Sequence, residues 1–361
     1  MYRRIIYILL ALLVMLGSAM SISAHHQVGP GYIRDMRIVG MSGAYTAVAD
    51  DYNALLYNPA GLGSLRSRSI GTVLHYGDYL QDGNAYHEPR VKPQFYVASP
   101  GWGVSVASEY YLNKSEDYPD TFRVEKVNTV DLGFGLNLGM FSFGTAIHAS
   151  KVEQRDNVNL SSPSEGDFLL DFFTQVFFET YDPTPDPAKG ESVLLRAGLL
   201  FDSGIISIGV HHENIFDIMA WTNDGTLPTL EGLADDLHVG ISLRNPRLNR
   251  YGSRNLLRFR GAMDVKHVGS NDLRELQLGV ETGVHITDSD RFVLRAGYSQ
   301  PLENLNDLIF GALEPSAAQV SFGVGLDMLF LSLQGAVTAP VDYFFGDGEI
   351  LNYGVSAGIS F

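Results

Sequence analysis

Groups that could carry out catalysis or bind a metal are few and scattered in this sequence. There is no cysteine, and the ten histidines include two adjacent pairs, His25-His26 and His211-His212. Neither pair has a third ligand at a spacing that zinc sites use. One Gly-x-Ser-x-Gly match, Gly354 to Gly358, lies inside a run of alternating residues, whereas a nucleophile elbow needs a strand-to-helix turn. We therefore expect no enzyme activity, no metal and no cofactor.

An apolar run at residues 168–179 has the composition of a surface that binds apolar molecules. It contains five Phe, two Leu and one Val, and at helical spacing six of these residues form two adjacent stripes opposite a polar side. Such a face on a loop needs a partner. It could bind an apolar ligand, enter the outer leaflet of a membrane, or pack on neighbouring loops. The candidate ligand-binding residues are Phe168, Leu169, Phe172, Phe173, Val176 and Phe177.

The elements that position these residues are recognised by strict alternation. At the end of the chain, large apolar residues from Leu351 to Phe361 alternate with Gly, Ser and Asn. A soluble sheet usually presents Lys and Glu to water, so a face of small polar residues is more typical of a barrel lumen. The same test predicts fourteen strands, near 67–77, 91–99, 102–111, 127–138, 141–152, 191–201, 205–213, 235–244, 254–266, 272–286, 291–299, 317–326, 329–338 and 350–361.

The connections between these strands fall into two classes. Those after even-numbered strands are mostly tight, as at 100–101 and 139–140, whereas those after odd-numbered strands are longer, as at 153–190 and 214–234. Outer-membrane barrels have short periplasmic turns and long extracellular loops. The predicted fold class is therefore all-β, a transmembrane antiparallel barrel of about fourteen strands in the outer membrane of a diderm bacterium, preceded by a short N-terminal helical segment.

Charged residues in three neighbouring strands are predicted to face the lumen. A charge on the lipid face costs about 2 to 4 kcal/mol at the bilayer midplane, and this cost selects the inward register. Two roles remain open: cross-strand ion pairs that brace the wall, which we favour, and a filter for the substrate. The candidate luminal residues are Arg258, Arg260, Asp264, Lys266, Glu275, Glu281 and Arg295.

The first 24 residues are predicted to be a secretory signal peptide. Arg3 and Arg4 precede an apolar run from Ile5 to Leu16, which is too short for the roughly 20 residues of a membrane helix. Cleavage after Ala19 or Ala24 fits equally well. The formal charge of the whole chain is -16. Nucleic acid is therefore excluded as a partner, because phosphate binding needs a basic surface. The predicted domains are the signal peptide at 1–24, the hatch segment at 25–66 and the barrel at 67–361.

The hatch segment does not alternate. It reads Gly-Ala-Tyr-Thr-Ala-Val-Ala-Asp-Asp at 43–51 and Asn-Pro-Ala-Gly-Leu at 58–62. From Gly40 onward we expect a short helix, an Asp cap and a second helical turn that stops before Pro59. This pattern resembles the N-terminal hatch of the FadL-like outer-membrane transporters, and equally the same segment of PorV-type and uncharacterised spirochaete relatives. The candidate hatch residues are Gly43, Asp50, Asp51, Asn58, Pro59 and Ala60.

The resemblance implies a segment inside the barrel and two possible functions. One is passive uptake of hydrophobic compounds, in particular long-chain fatty acids. The alternative is a PorV-like interaction or secretion-associated barrel without transport activity. The implied partners are hydrophobic small molecules and outer-membrane lipid. The terminal Phe361 is similar to the C-terminal aromatic that the barrel-assembly machinery reads, so this machinery is a third implied partner.

Overall fold

The computed structural model describes residues 35–77, 90–114, 122–158, 188–222, 237–245, 257–268, 274–286, 290–302, 318–328, 330–341 and 352–360. The predicted signal peptide, the apolar run at 168–179 and Phe361 lie outside these residues. Among the described residues, no helix is long and apolar enough to cross a membrane.

Three short helical elements precede fourteen strands. The helical elements are α1 (Met36–Val39), α2 (Ala54–Tyr57) and a 3-10 helix (Pro59–Ser64). The strands are β1 (Ser69–Gly77), β2 (Arg90–Ser99), β3 (Trp102–Lys114), β4 (Phe122–Asn137), β5 (Phe141–Val158), β6 (Ala188–Asp202), β7 (Ile206–Thr222), β8 (Leu237–Arg244), β9 (Leu257–Lys266), β10 (Glu275–His285), β11 (Arg291–Pro301), β12 (Gln319–Met328), β13 (Leu331–Pro340) and β14 (Asn352–Ser360).

The strands form one closed antiparallel barrel. Each strand pairs with its neighbours in sequence, and β1 closes the barrel on β14, with Ser69 opposite Ser360. Closure leaves no strand edge unpaired, which a spanning sheet requires in lipid. The predicted fold class, a fourteen-stranded barrel preceded by a short helical segment, is confirmed.

The two faces of the barrel differ as the alternation predicts. On β5, Phe141 and Ile147 are 46% and 45% exposed on the outside, whereas Ser142, His148 and Ser150 are buried on the inside. An apolar outer face around a polar interior is the arrangement of an outer-membrane barrel, because only the outer face meets hydrocarbon.

The short turns lie on one rim. Gly139 and Gly204 adopt φ values of +87° and +92° in two of these turns, a conformation that favours glycine. On the opposite rim several strands run further than predicted, since β5 continues to Val158 and β7 continues to Thr222. The apolar alternation ends earlier than the strands do because backbone pairing does not require an apolar face.

Candidate functional site

Residues 35–65, which we call the luminal segment, lie inside the barrel. The segment enters β1 from the short-turn rim, where the Leu62 carbonyl accepts a hydrogen bond of 2.9 Å from the backbone N–H of Gly101. Asp35 caps α1 by accepting from the backbone N–H of Arg37 at 2.8 Å. Asn58 is extended between α2 and the 3-10 helix, so the helical path stops before Pro59 as predicted.

The first predicted helix is displaced. Residues 40–49 form hydrogen-bonded turns, whereas the first helix is α1, at 36–39. Ser42 and Gly43 adopt φ values of +48° and +85°, which a right-handed helix cannot accommodate. The prediction of a helix after Gly40 is therefore wrong in position.

Most apolar side chains of the luminal segment pack on one another, whereas Met36 and Val39 pack on Val73 of β1 and Tyr96 of β2. Tyr45 and Tyr57 meet edge to face with ring centroids 5.8 Å apart. Only Ala146 and Ala262 join this cluster from the described strands. The buried members from the segment are Ile38, Met41, Ala44, Tyr45, Val48, Ala49, Ala54, Leu55, Tyr57 and Leu62. The segment thus carries its own small core.

Inward-facing glycines provide the space for this segment. On β4 to β8 and β10 to β12, a Cβ atom at these positions would lie 3.0 Å or less from an atom of the luminal segment. At Gly144, for example, it would overlap the backbone of Pro59. A side chain there would displace the segment, because interiors are close-packed. The positions are Gly133, Gly135, Gly144, Gly198, Gly209, Gly240, Gly279, Gly297 and Gly323.

An ionic network joins the segment to the wall, centred on Arg37. Its Nε donates to Glu281 at 2.8 Å, and its Nη1 donates to Asp50 at 2.8 Å and to Asp51 at 2.7 Å. From the wall, Arg295 donates to Glu281 at 2.9 Å and Arg260 donates to Asp50 at 2.8 Å. Charge-assisted hydrogen bonds of this length are stronger than neutral ones.

The two neighbouring carboxyls of this network have opposite pKa shifts. Burial raises the pKa of a carboxyl, but at Asp50 the guanidinium groups of Arg260 and Arg37 outweigh burial and hold its pKa well below the ordinary value. At Asp51 burial prevails over the attraction of Arg37, the charge of Asp50 adds to it, and the pKa is raised. The ionised form of Asp50 therefore stabilises the seated segment, whereas that of Asp51 is held at a cost.

Hydrogen bonds to the segment backbone add further anchors. The Oδ2 atom of Asp264 accepts from the backbone N–H groups of Tyr45 and Thr46 at 2.7 and 2.6 Å. Asn58 donates from Nδ2 to the carbonyls of Thr46 and Leu199 at 2.9 and 3.2 Å. The segment is thus fixed to the wall mostly through polar contacts.

A cavity of about 1200 Å³ lies between the luminal segment and the short-turn rim. Charged residues of both signs line it, including Arg258 and the pairs Arg291–Asp327 at 2.6 Å and Arg244–Asp202 at 2.7 Å. Most residues that line this vestibule are polar or charged, and Arg37, Asp50 and Asp51 of the luminal segment line its inner side.

Comparison with solved structures finds the same architecture. No protein-family model matches the chain, and no curated protein sequence matches it. The structure of the CymD monoaromatic hydrocarbon channel aligns with a TM-score of 0.54 at 11% identity, over 91% of this chain and 97% of that one. A deltaS2S3 mutant of the TodX monoaromatic hydrocarbon channel aligns with a TM-score of 0.50 at 13% identity, over 91% and 98% of the two chains. The chain shares the fold of these two channels, in agreement with the FadL-like barrel that its N-terminal segment predicts.

Within this FadL-like barrel, the predicted luminal residues all lie on inward-facing positions. Glu281 and Arg295 are opposite each other on β10 and β11, as a cross-strand brace would be. Arg260, Asp264, Glu281 and Arg295 also contact the luminal segment or its partners. Three predicted luminal residues remain. Lys266 has its Nζ 5.6 Å from the centroid of the Tyr57 ring, and Glu275 accepts a hydrogen bond from Gln277. Arg258 lines the vestibule.

The predicted hatch residues of the FadL-like fold are brought together in the luminal segment. Asp50 and Asp51 belong to the ionic network, and Asn58, Pro59 and Ala60 face β5 and β6. Sequence reasoning missed Arg37 as a partner of the wall. It placed glycines on the inward face but did not recognise how closely the segment packs on them. The sequence does show these glycines as a pattern, because glycine recurs on the polar face of successive strands. The predicted ligand-binding residues at 168–177 lie outside the described residues.

Proposed function

We propose that this chain is a passive outer-membrane channel for hydrophobic compounds and that long-chain fatty acids are its substrate. The observation that carries the proposal is the luminal segment, which lies inside the barrel, lines the vestibule and is attached to the wall through ion pairs and hydrogen bonds. Two barrels of the same fold are described as monoaromatic hydrocarbon channels, in line with a channel and not an enzyme.

The luminal segment is suited to act as a movable hatch. Because most of its apolar side chains pack within the segment, a displacement would expose little apolar surface of the wall apart from Val73 and Tyr96. Its polar contacts would exchange for contacts with water, which cost far less than an exposed core. Movement of residues 35–65 would then open the vestibule toward the ligand.

Fatty acids are favoured by two features at opposite ends of the barrel. The apolar run at 168–179 offers a wide face for an alkyl chain on the predicted extracellular side. At the other end, Arg258 and other guanidinium groups line the vestibule and suit a carboxylate that leaves through it. A neutral hydrocarbon would use the first feature but not the second.

The proposal is tested by changing Phe172 and Phe173 together to Ser in the purified barrel. Burying one such ring contributes on the order of 1.5 to 3 kcal/mol, so affinity for a fluorescent long-chain fatty acid should fall at least about tenfold, at about 1.4 kcal/mol per factor of ten. The matched control is Phe178→Ser, because helical spacing places Phe178 with Asp171 and Thr174 on the side of the predicted helix opposite the apolar stripes. Its affinity should stay close to that of the unchanged chain.

Heat-modifiable migration on a gel shows whether each variant is a folded barrel. A folded double variant with unchanged affinity would remove the apolar run from the proposed path. If the unchanged chain binds toluene but no fatty acid, the substrate assignment is wrong while a channel for hydrophobic compounds remains. If it binds neither, the PorV-like interaction barrel becomes the better account.

A further inference from the structure

Histidines cluster on the lumen wall just beyond the luminal segment. His211 on β7 and His238 on β8 are directly opposite in register, and their ring centroids are 5.6 Å apart. They are 0% and 1% exposed. On the same strands Gly209 and Gly240 contact Thr46 of the luminal segment. The histidines lie two residues further from the short-turn rim, on the side away from the vestibule.

A β-bulge adds a carboxylate to this cluster. The pairing of β6 with β7 passes from Leu195–Phe216 to Ala197–His212, so three residues of β7, starting with Glu213, oppose Arg196 alone. Bulges re-aim side chains and are common at functional sites. Here the Oε1 atom of Glu213 lies 3.7 Å from Nδ1 of His238.

The three side chains have the spacing of a metal site. One ring nitrogen from each histidine and one carboxylate oxygen all lie within 4.8 Å of one another. With bonds of roughly 2.0 to 2.2 Å, the ligand atoms of a tetrahedral zinc site are about 3.4 Å apart. The 3.7 Å separation of Glu213 and His238 is already close to this value, and small side-chain rotations would bring in His211.

His211 supplies an independent reason for a ligand. Among the described residues, neither of its ring nitrogens has a hydrogen-bond partner, although the side chain is completely buried. An unsatisfied buried polar group costs about 1 to 3 kcal/mol. A bound cation would accept a nitrogen lone pair and remove this cost.

We propose that His211, Glu213 and His238 bind a divalent transition-metal ion, with Zn²⁺ as the best match. Two histidines and one glutamate provide three ligands and leave a fourth position for water or a ligand. His267 has a φ of +50°, and its ring centroid lies 5.0 Å from that of His238.

The proposal is tested with the full mature chain, purified without an affinity tag and stripped of metal with a chelator. Co²⁺ is the probe, because a site with these ligands gives it a visible tetrahedral absorption band. We expect about one Co²⁺ per chain, displaced by Zn²⁺. Glu213→Gln and His238→Gln should each lower Co²⁺ affinity at least about tenfold, as even outer ligand partners typically contribute 10- to 100-fold.

The matched control is His285→Gln, a histidine at the other end of β10 from the cluster layer, which should bind Co²⁺ as the unchanged chain does. The pair His25-His26 is kept in every variant, so a loss of the band in Glu213→Gln assigns binding to the cluster. Heat-modifiable migration verifies folding. No absorption band in the folded unchanged chain, or equal affinity in the folded Glu213 and His238 variants, would overturn the proposal.

Discussion

Glu281 is the wall residue on which the seating of the luminal segment most depends. It accepts from Arg37 at 2.8 and 3.1 Å and from Arg295 at 2.9 Å. All three side chains are at most 9% exposed. Glu281→Gln keeps the shape of the side chain but removes its charge, so Arg295 becomes an uncompensated buried cation whenever the segment is seated.

The size of the effect follows from this geometry. Breaking one partner of a buried ion pair costs about 3 to 5 kcal/mol. Arg37 keeps Asp50 and Asp51 as partners, so the lower end applies. At about 1.4 kcal/mol per factor of ten, a loss of about 3 kcal/mol shifts the equilibrium from the seated toward the displaced segment on the order of a hundredfold.

Single-channel recording in planar bilayers measures this equilibrium as open probability. A chain lacking residues 35–65 gives the conductance of the fully open barrel. The matched control is Asp327→Asn, which breaks the Arg291–Asp327 pair between β11 and β12 without a direct contact to the segment. If Glu281→Gln and Asp327→Asn have the same open probability and both migrate as folded barrels, the ionic network does not hold the segment.

Three further predictions concern the seating and the topology. Gly144→Ala should raise open probability, because a Cβ there overlaps Pro59 and overpacking typically costs about 1 to 3 kcal/mol. The control is Gly261→Ala, where a Cβ meets only Phe259 at 3.9 Å. Equal open probabilities of the two variants would contradict the packing argument. Asp50→Asn should raise open probability more than Asp51→Asn, because the lowered pKa of Asp50 marks a stabilising charge and the raised pKa of Asp51 marks a costly one. If Asp51→Asn raises open probability more, the directions of the two pKa shifts are misassigned. An impermeant maleimide on intact cells should label Asp224→Cys and not Met140→Cys in this cysteine-free chain, and labelling of Met140→Cys alone would invert the barrel.

The barrel was predictable because lipid and lumen impose opposite requirements on alternate residues. On β5 the sequence places Phe141 and Ile147 on one face and Ser142 and His148 on the other, and the structure has the same division. The alternation of apolar and polar residues ends where a strand leaves the bilayer. The predicted end of β7 at 213 therefore falls short of Thr222, although pairing with β6 continues to that residue.

The partners of the luminal charges could not be predicted. A charged residue in a spanning strand has to face inward whatever it binds, so parity locates Glu281 but does not identify Arg37, which is 244 positions away. The same limit applies to the histidine cluster. His238 joins His211 only through the register of β7 and β8, and Glu213 joins both because of a bulge that alternation does not reveal.

The order of the chain determines when the luminal segment can reach its place. Residues 35–65 directly precede β1, yet their ionic partners lie on β9, β10 and β11, and the barrel closes only when β14 arrives beside β1. The segment precedes these strands along the chain, so it can meet Arg260 and Glu281 only once β9 and β10 have formed. The completed network of Arg37 therefore requires a barrel whose middle strands are already in register.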